Sequence, residues 1–192
     1  MHKIAVLISG GGSNLQAIIN SVEKGELNCS IEAVISDNEN AVGLIRAKDK
    51  NISTYVVNKK AYGEKLSDEI LNILDGKVDL IVLAGFLSIL QGQILKNFKG
   101  RIINIHPSLL PEFGGKGMYG LKVHKKVIES GISKSGCTVH FVDEEVDNGD
   151  IILQKTVDVY SNDTPESLQQ RILQQEHIAL PEAIKMVCGG IK

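Results

Sequence analysis

The feature that most constrains the fold is the alternation of short apolar runs with helix-like segments in the first half. Residues 3–8 consist of Lys3 and a continuous apolar run after it, which is typical of a strand covered on both faces. Residues 13–23 then place apolar side chains at the spacing of one helix face. The alternation continues through predicted strands at 31–36, 54–58, 78–84 and 101–105, and predicted helices at 42–50 and 65–74. This order predicts βαβ units, a parallel sheet and right-handed crossovers.

The second half follows a different pattern. Glycines and prolines in residues 107–119 predict a long loop. The remaining elements are a predicted helix at 121–129, two strands at 137–142 and 151–160, and a last helix that begins at Thr164 and Pro165. We expect one α/β domain with a Rossmann-like, open twisted sheet. That sheet is mostly parallel, carries an antiparallel pair near the C-terminal half, and has helices on both faces.

Composition excludes several classes of protein. A net charge of -2 and 4% aromatic residues argue against a nucleic-acid binder. Apolar runs are too short to cross a bilayer, and the start of the chain reads as a strand rather than a targeting segment. Cys29, Cys137 and Cys188 are widely spaced, which predicts reduced thiols and a cytoplasmic location. No histidine pair at helical spacing and no Cys-x-x-Cys occurs, so we expect no metal site.

A glycine loop, Ser9-Gly10-Gly11-Gly12-Ser13-Asn14, joins the first predicted strand to the first predicted helix. Glycines let the backbone approach a ligand closely, and the free N–H groups of a helix start favour an anion. The loop therefore predicts a phosphate-monoester site. Two alternatives remain: a tight turn without a ligand, and a dinucleotide site with Asp37 at the end of the second strand. Against the dinucleotide, Leu15 stands where its fingerprint has a third glycine.

Asn104 and His106 interrupt an apolar strand two residues apart, and Pro107 follows them. Side chains at this spacing share one face of a strand, so an amide and an imidazole point the same way. Both lie where a parallel strand ends, which is the usual place of ligand sites in open α/β sheets. A buried structural histidine is the alternative for His106 taken alone. The pair predicts a site that handles a carbonyl oxygen and a proton.

A cluster of carboxylates, of which Asp147 precedes an apolar run, follows at residues 143–150. Most of them are expected to be solvated. Asp147, if it folds against His106, favours the imidazolium and raises the pKa of His106.

The sequence resembles the glycinamide ribonucleotide formyltransferases, which use a folate as formyl donor. The resemblance covers nearly the whole chain and rests on motifs at residues 8–18, 83–86, 103–111, 138–142, 147–149 and 175–177. The Asn-x-His-Pro-Ser-Leu-Leu-Pro block at 104–111 is specific to folate-dependent formyl transfer, and the glycine loop selects the ribonucleotide branch. Ser88 stands where an arginine is common, and residues 114–118 replace a shorter Pro-Gly pattern.

The resemblance implies the site and the reaction. The formyl group of 10-formyltetrahydrofolate, the cosubstrate, would pass to the amine of glycinamide ribonucleotide in purine biosynthesis, with no metal. Residues 1–100 would form the half that binds the ribonucleotide, and residues 101–192 the catalytic and folate-binding half, in a monomer or a homodimer. The implied catalytic residues are Asn104, His106 and Asp147, and the implied ribonucleotide ligands are Gly12, Ser13, Asn14 and Glu176. The implied folate contacts are Leu87, Ser88, Ile89, Leu90, Asn104, His140, Val142 and Asp143.

Direct attack of the amine is the expected mechanism. Asn104 and a protonated His106 would stabilise charge on the formyl oxygen, and Asp147 would keep His106 charged and help to move a proton. The nearest alternatives are a formyltetrahydrofolate hydrolase and a formyltransferase for another amine. The most distant alternative is a dinucleotide-binding dehydrogenase.

Overall fold

The computed structural model describes residues 1–190, which fold around one seven-stranded sheet. The strands are β1 (His2–Ile8), β2 (Cys29–Ser36), β3 (Ser53–Val56), β4 (Leu80–Leu83), β5 (Ile102–His106), β6 (Lys134–Phe141) and β7 (Ile151–Asp158). The helices are α1 (Ser13–Glu23), α2 (Val42–Asp49), α3 (Lys59–Tyr62), α4 (Leu66–Leu74), α5 (Gln93–Asn97), α6 (Leu121–Ser130) and α7 (Pro165–Gly190).

The sheet order is β3-β2-β1-β4-β5-β6-β7. The first five strands in this order are parallel, while β6 runs antiparallel to both β5 and β7. The predicted fold class is therefore confirmed, including the antiparallel pair. The antiparallel region is larger than that pair, because β5 also takes part in it. The strand order reverses direction between β1 and β4, and ligands of open α/β sheets bind at such a switch point, outside the carboxyl ends of the strands.

Apolar layers on both faces of the sheet explain the continuous apolar run of β1. Ile4, Val6 and Ile8 belong to the core under α1, α2, α6 and α7, whereas Ala5 and Leu7 belong to the core under α4 and α5. Successive residues of a strand point to opposite faces, so a strand covered on both sides has no polar position to alternate.

Two short helices were not expected from the sequence, and several strand boundaries differ by two or three residues, most of all the start of β6. The single turn α3 is capped by Asn58, whose side-chain oxygen accepts from the N–H of Ala61, and α5 has only five residues. Neither is long enough to show a helical period. Strand β6 begins at Lys134, three residues before the predicted start, because Ser135 and Gly136 pair with β7.

Within residues 1–190, no helix has the length and apolar character needed to cross a membrane. Cys29, Cys137 and Cys188 are free thiols and are buried. Burial raises the pKa of Cys29 to about 11 and that of Cys137 to about 12, so both thiols stay protonated at neutral pH.

Candidate active site

A cavity of about 810 Å³ opens at the carboxyl ends of β1, β4 and β5. Its walls come from the glycine loop, residues 85–90, the end of β5, residues 115–120, residues 140–147 and α7. Segments far apart in the sequence therefore share one cleft. Thirteen of the fourteen predicted site residues line it, and the exception is Gly12.

Gly12 serves the loop through its backbone geometry. It begins α1 with φ of +70°, a left-handed conformation that favours glycine. A Cβ atom at this position would lie 2.6 Å from the Cα of Gly43, so any side chain would push α2 away from the loop. The next two residues, Ser13 and Asn14, line the cavity at the N-terminus of α1.

Asn14 and Glu176 meet inside the cavity although 162 residues separate them. The side-chain amide of Asn14 donates to Oε2 of Glu176 at 2.7 Å. Glu176 is only 8% exposed, and burial raises its pKa while the bond from Asn14 opposes that shift. The Oδ1 atom of Asn14 is buried and has no partner within residues 1–190, so this pair retains an acceptor for a ligand hydroxyl or amide.

Asn104 and His106 share one face of β5, as the sequence predicts. His106 is 3% exposed, and both ring nitrogens face acceptors. Its Nδ1 lies 3.4 Å from Oδ2 of Asp147, and its Nε2 donates to the carbonyl oxygen of Phe113 at 2.9 Å. Asp147 therefore approaches His106 from a turn 41 residues further along the chain, which is the position that the sequence hypothesis requires.

His140 lies beside Asn104 and Asp147 and is buried, not placed at the edge of the cleft. It stands opposite Asn104 in the β5–β6 register. Its Nδ1 donates to the carbonyl oxygen of Phe141 at 2.8 Å, which leaves Nε2 to accept from the side-chain amide of Asn104 at 3.1 Å. Oδ1 of Asp147 lies 3.6 Å from the same Nε2. His140 thus orients Asn104 and lies beside the Asp147 carboxylate.

The charge state of His106 differs from the sequence-based expectation. Burial lowers its pKa below the ordinary histidine value, and the opposing effects of Asp147 and the Phe113 carbonyl do not outweigh burial. The expectation of a raised pKa was wrong because it counted the carboxylate and left out the loss of water. Burial also raises the pKa of Asp147, but contacts with His140, His106 and the N–H of Gly115 outweigh it and lower that pKa overall.

The loop at 107–119 contributes contacts that sequence reasoning missed. The carbonyl of Phe113 accepts from His106, and the N–H of Gly115 donates to Oδ2 of Asp147 at 2.9 Å. These are backbone groups, which carry no signature in side-chain types. On α6, His124 also borders the cavity; burial lowers its pKa to about 4, and His106 acts in the same direction when it is protonated.

The predicted folate contacts form the opposite wall. Leu87 and Ile89 are 60% and 53% exposed, whereas Leu90 is buried beneath them, and Val142 and Asp143 face the same cleft. Such an apolar strip with polar groups on its rim suits a flat aromatic ligand.

Ser88 and Asp37 hold that strip in place. Both the N–H and the hydroxyl of Ser88 donate to Oδ2 of Asp37, at 3.1 and 2.7 Å. Asp37 therefore already has partners at the position where a dinucleotide ribose would need it. Leu15 is fully buried in the core, which removes the third glycine position of a dinucleotide loop.

Comparison with known proteins agrees with this geometry. Residues 2–184 match the family model described as formyl transferase. The chain therefore belongs to the formyl transferase family.

Individual relatives indicate which branch of the family the chain resembles. The chain is 43% identical to the phosphoribosylglycinamide formyltransferase of Haemophilus influenzae, across 99% of this chain and 89% of that protein. It matches glycinamide ribonucleotide transformylase 1 from Symbiobacterium toebii with a TM-score of 0.93 and 41% identity, over 99% of this chain and 89% of the other. It is also 45% identical to the trifunctional purine biosynthetic protein adenosine-3 of Gallus gallus, but spans 18% of that protein's length. The resemblance drawn from the sequence is thereby confirmed.

Proposed function

We propose that this chain transfers the formyl group of 10-formyltetrahydrofolate to the amino group of glycinamide ribonucleotide, in purine biosynthesis. The observation that carries the proposal is the single cavity that joins the glycine loop to the cluster of Asn104, His106, His140 and Asp147. Relatives named for this reaction share the fold and about two fifths of the sequence.

The ribonucleotide binds at the end of the cavity nearest α1. Free N–H groups at the start of α1 and the helix dipole attract its phosphate, with Gly12 shaping the loop and Ser13 and Asn14 beside it. The ribose lies against Asn14 and Glu176, where the free Oδ1 of Asn14 accepts from a hydroxyl. This remote anchoring orients the amine towards β5.

The folate occupies the apolar strip. Its ring system lies on Leu87, Ile89 and Leu90, while residues 140–143, including His140, Val142 and Asp143, form the other wall. Ser88 supports the strip through Asp37 and leaves no cation at this position for the acidic tail of the folate.

Asn104 stabilises the oxyanion. Its side-chain amide carries two N–H groups, and one of them donates to His140. The second is available to the formyl oxygen as the amine attacks the formyl carbon and negative charge develops there.

The pair of His106 and Asp147 handles the proton. His106 is neutral in the free enzyme because burial lowers its pKa. A proton that leaves the attacking nitrogen, directly or through water, yields an imidazolium held between Asp147 and the Phe113 carbonyl. The bond from the formyl carbon to N10 of the folate then breaks, and N10 receives the proton. The products are formylglycinamide ribonucleotide and tetrahydrofolate, and no covalent enzyme intermediate forms.

A two-substrate assay tests this function. Purified protein is mixed with 10-formyltetrahydrofolate, with and without glycinamide ribonucleotide, and both tetrahydrofolate and the formylated product are measured. We expect tetrahydrofolate and the formylated product to form in equal amounts, and only when the ribonucleotide is present. Release of formate without the ribonucleotide would indicate a formyltetrahydrofolate hydrolase. Formyl transfer to a different amine, without transfer to the ribonucleotide, would indicate a formyltransferase for another acceptor.

A titration with NAD separates the most distant alternative. The partners of Asp37 and the burial of Leu15 lead us to expect no saturable binding. Location in the cytoplasm, the division into halves at residue 100, and assembly as a monomer or homodimer stay predictions from the sequence.

A further inference from the structure

The glycine loop is held from one side by the segment that follows β2. The side-chain amide of Asn38 donates to the carbonyl oxygen of Ser9 at 3.1 Å. The backbone N–H of Gly43, in the first turn of α2, donates to the carbonyl oxygen of Gly10 at 3.0 Å. Two successive carbonyl groups of the loop therefore point towards the β2–α2 connection.

Arg46, one turn further along α2, holds the third carbonyl. Its Nε donates to the carbonyl oxygen of Gly11 at 2.8 Å, and its Nη1 donates to Oε1 of Gln16 at 3.3 Å. The side chain is half-buried and its Cδ lies 3.5 Å from where a Cβ of Gly12 would stand. Arg46 thus connects α2 to both the loop and the first turns of α1.

These carbonyl contacts determine where the N–H groups point. In a trans peptide the C=O and the following N–H lie in one plane on opposite sides. The N–H groups of Gly10, Gly11 and Gly12 are therefore directed away from α2 and from the β2–α2 connection. Ser9 shows the same direction, because its own N–H donates to the carbonyl oxygen of Gly85 at 3.0 Å.

The N–H groups of residues 10–15 all lack an acceptor among residues 1–190. Consecutive N–H groups aimed at one side make an anion-binding concavity, and here a helix N-terminus extends it. Glycines lose the most conformational freedom on ordering, so an unrestrained loop would lose binding energy when a phosphate ordered it. Restraint of the carbonyl groups before binding avoids that loss.

We propose that Arg46 is a positioning residue for phosphate binding, because it fixes the Gly11 carbonyl and so presents the Gly12 N–H to the phosphate monoester of the substrate. This inference rests on the proposed function, which puts that phosphate on the glycine loop. Arg46 acts from behind the loop and shows no signature in the sequence, because it lies in an ordinary helical segment outside the glycine motif.

The test compares binding of glycinamide ribonucleotide with binding of the same riboside without its phosphate, by calorimetry, together with KM and kcat. Arg46→Met keeps the aliphatic contact with the loop and removes the donors. We expect about a tenfold weaker affinity for the ribonucleotide, since a charged hydrogen-bond donor is lost. Riboside affinity stays unchanged, and kcat at saturation stays within about twofold because the chemistry is remote from Arg46.

Two further variants separate the hydrogen bond from charge and from folding. Arg46→Lys keeps a donor and the charge, so it recovers part of the affinity. Lys48→Met removes a cation from the same helix at an exposed position and leaves binding unchanged. Unfolding temperatures of all variants are measured alongside.

Each other outcome overturns either the role of Arg46 or the phosphate assignment of the glycine loop. If Arg46→Met retains the phosphate preference of the unmodified enzyme, or weakens ribonucleotide and riboside equally, the positioning role is wrong while the proposed function stands. If the unmodified enzyme binds both compounds equally well, the phosphate assignment of the glycine loop fails, and the role of Arg46 fails with it.

Discussion

The two ends of the cavity are built in different ways. At the glycine loop, the ligand groups are backbone N–H donors set by neighbouring elements of one βαβ unit, and hydrogen bonds from α2 fix them. At the end of β5, the reactive groups are side chains from β5, β6 and the turn at 143–149, and their pKa values depend on one another. Phosphate binding is therefore preset by local structure, whereas chemistry depends on convergence of distant segments, and substitutions should separate the two.

The largest effect is expected from Asn104→Ala, at the chemical end. Loss of its free N–H removes a donor to the developing oxyanion, and loss of its other N–H leaves His140 without that partner. Turnover should fall by about 10²–10³, as for other oxyanion donors. Steady-state assays at saturating substrates measure this, and calorimetry should show an unchanged ribonucleotide affinity. A variant that loses affinity and keeps its turnover would erase the distinction between the two ends.

A smaller effect, on ribonucleotide affinity and not on turnover, is expected from Asn14→Ala. The change removes a ligand acceptor and leaves the buried Glu176 carboxyl without its amide donor, so the pKa of Glu176 rises further. Ribonucleotide affinity should weaken about tenfold, while turnover at saturation changes little. Asn20→Ala, on the exposed side of the same helix, is the matched control and should bind normally. Loss of turnover at saturation would place Asn14 in the chemistry instead.

The sequence predicted the glycine-loop end more completely than the chemical end, for a physical reason. Periodicity and the glycine loop act over a few residues, so β1, α1, β4 and β5 were predicted with nearly correct bounds. The contact between residues 106 and 147 was only a hypothesis, because no local pattern encodes the meeting of a strand end with a turn 41 residues away.

Charge states were the weakest point of the sequence analysis. The pKa of His106 depends on how much water reaches the ring, and exposure is a property of the packed molecule. Backbone contacts from Phe113 and Gly115 were missed for a related reason, since they depend on the path of the loop and not on its side chains. The role of His140 as the support of Asn104 follows from the β5–β6 register, which the strand pattern alone does not fix.

The electrostatic link at the chemical end can be measured separately from turnover. The Asp147 carboxylate favours the charged imidazole, so Asp147→Asn should lower the pKa of His106 further below that of the unmodified enzyme. Titration of the histidine ring protons by NMR spectroscopy reads this directly. His177, whose pKa is lowered by burial alone, is the internal control and should titrate unchanged. An unmoved or raised pKa of His106 in the variant would show that the two groups are not coupled.

The smallest effect is expected from Ser88→Ala. The change removes one of two hydrogen bonds to Asp37 and loosens the apolar strip at residues 87–90, while the backbone N–H bond remains. Because the lost hydrogen bond lies behind the strip and touches no ligand, KM for the folate should rise only about threefold. KM for the ribonucleotide should stay constant, because the strip lies at the other wall of the cavity. Equal changes in both KM values would mean that the strip and the glycine loop respond as one unit.

Single-turnover formyl transfer in His106→Ala, with both substrates saturating, tests most directly whether the convergence of His106 and Asp147 performs the chemistry. We expect the rate of formylated ribonucleotide formation to fall about a hundredfold, with ribonucleotide affinity preserved. A rate close to that of the unmodified enzyme would contradict the mechanism, because the reaction would then proceed without the imidazole.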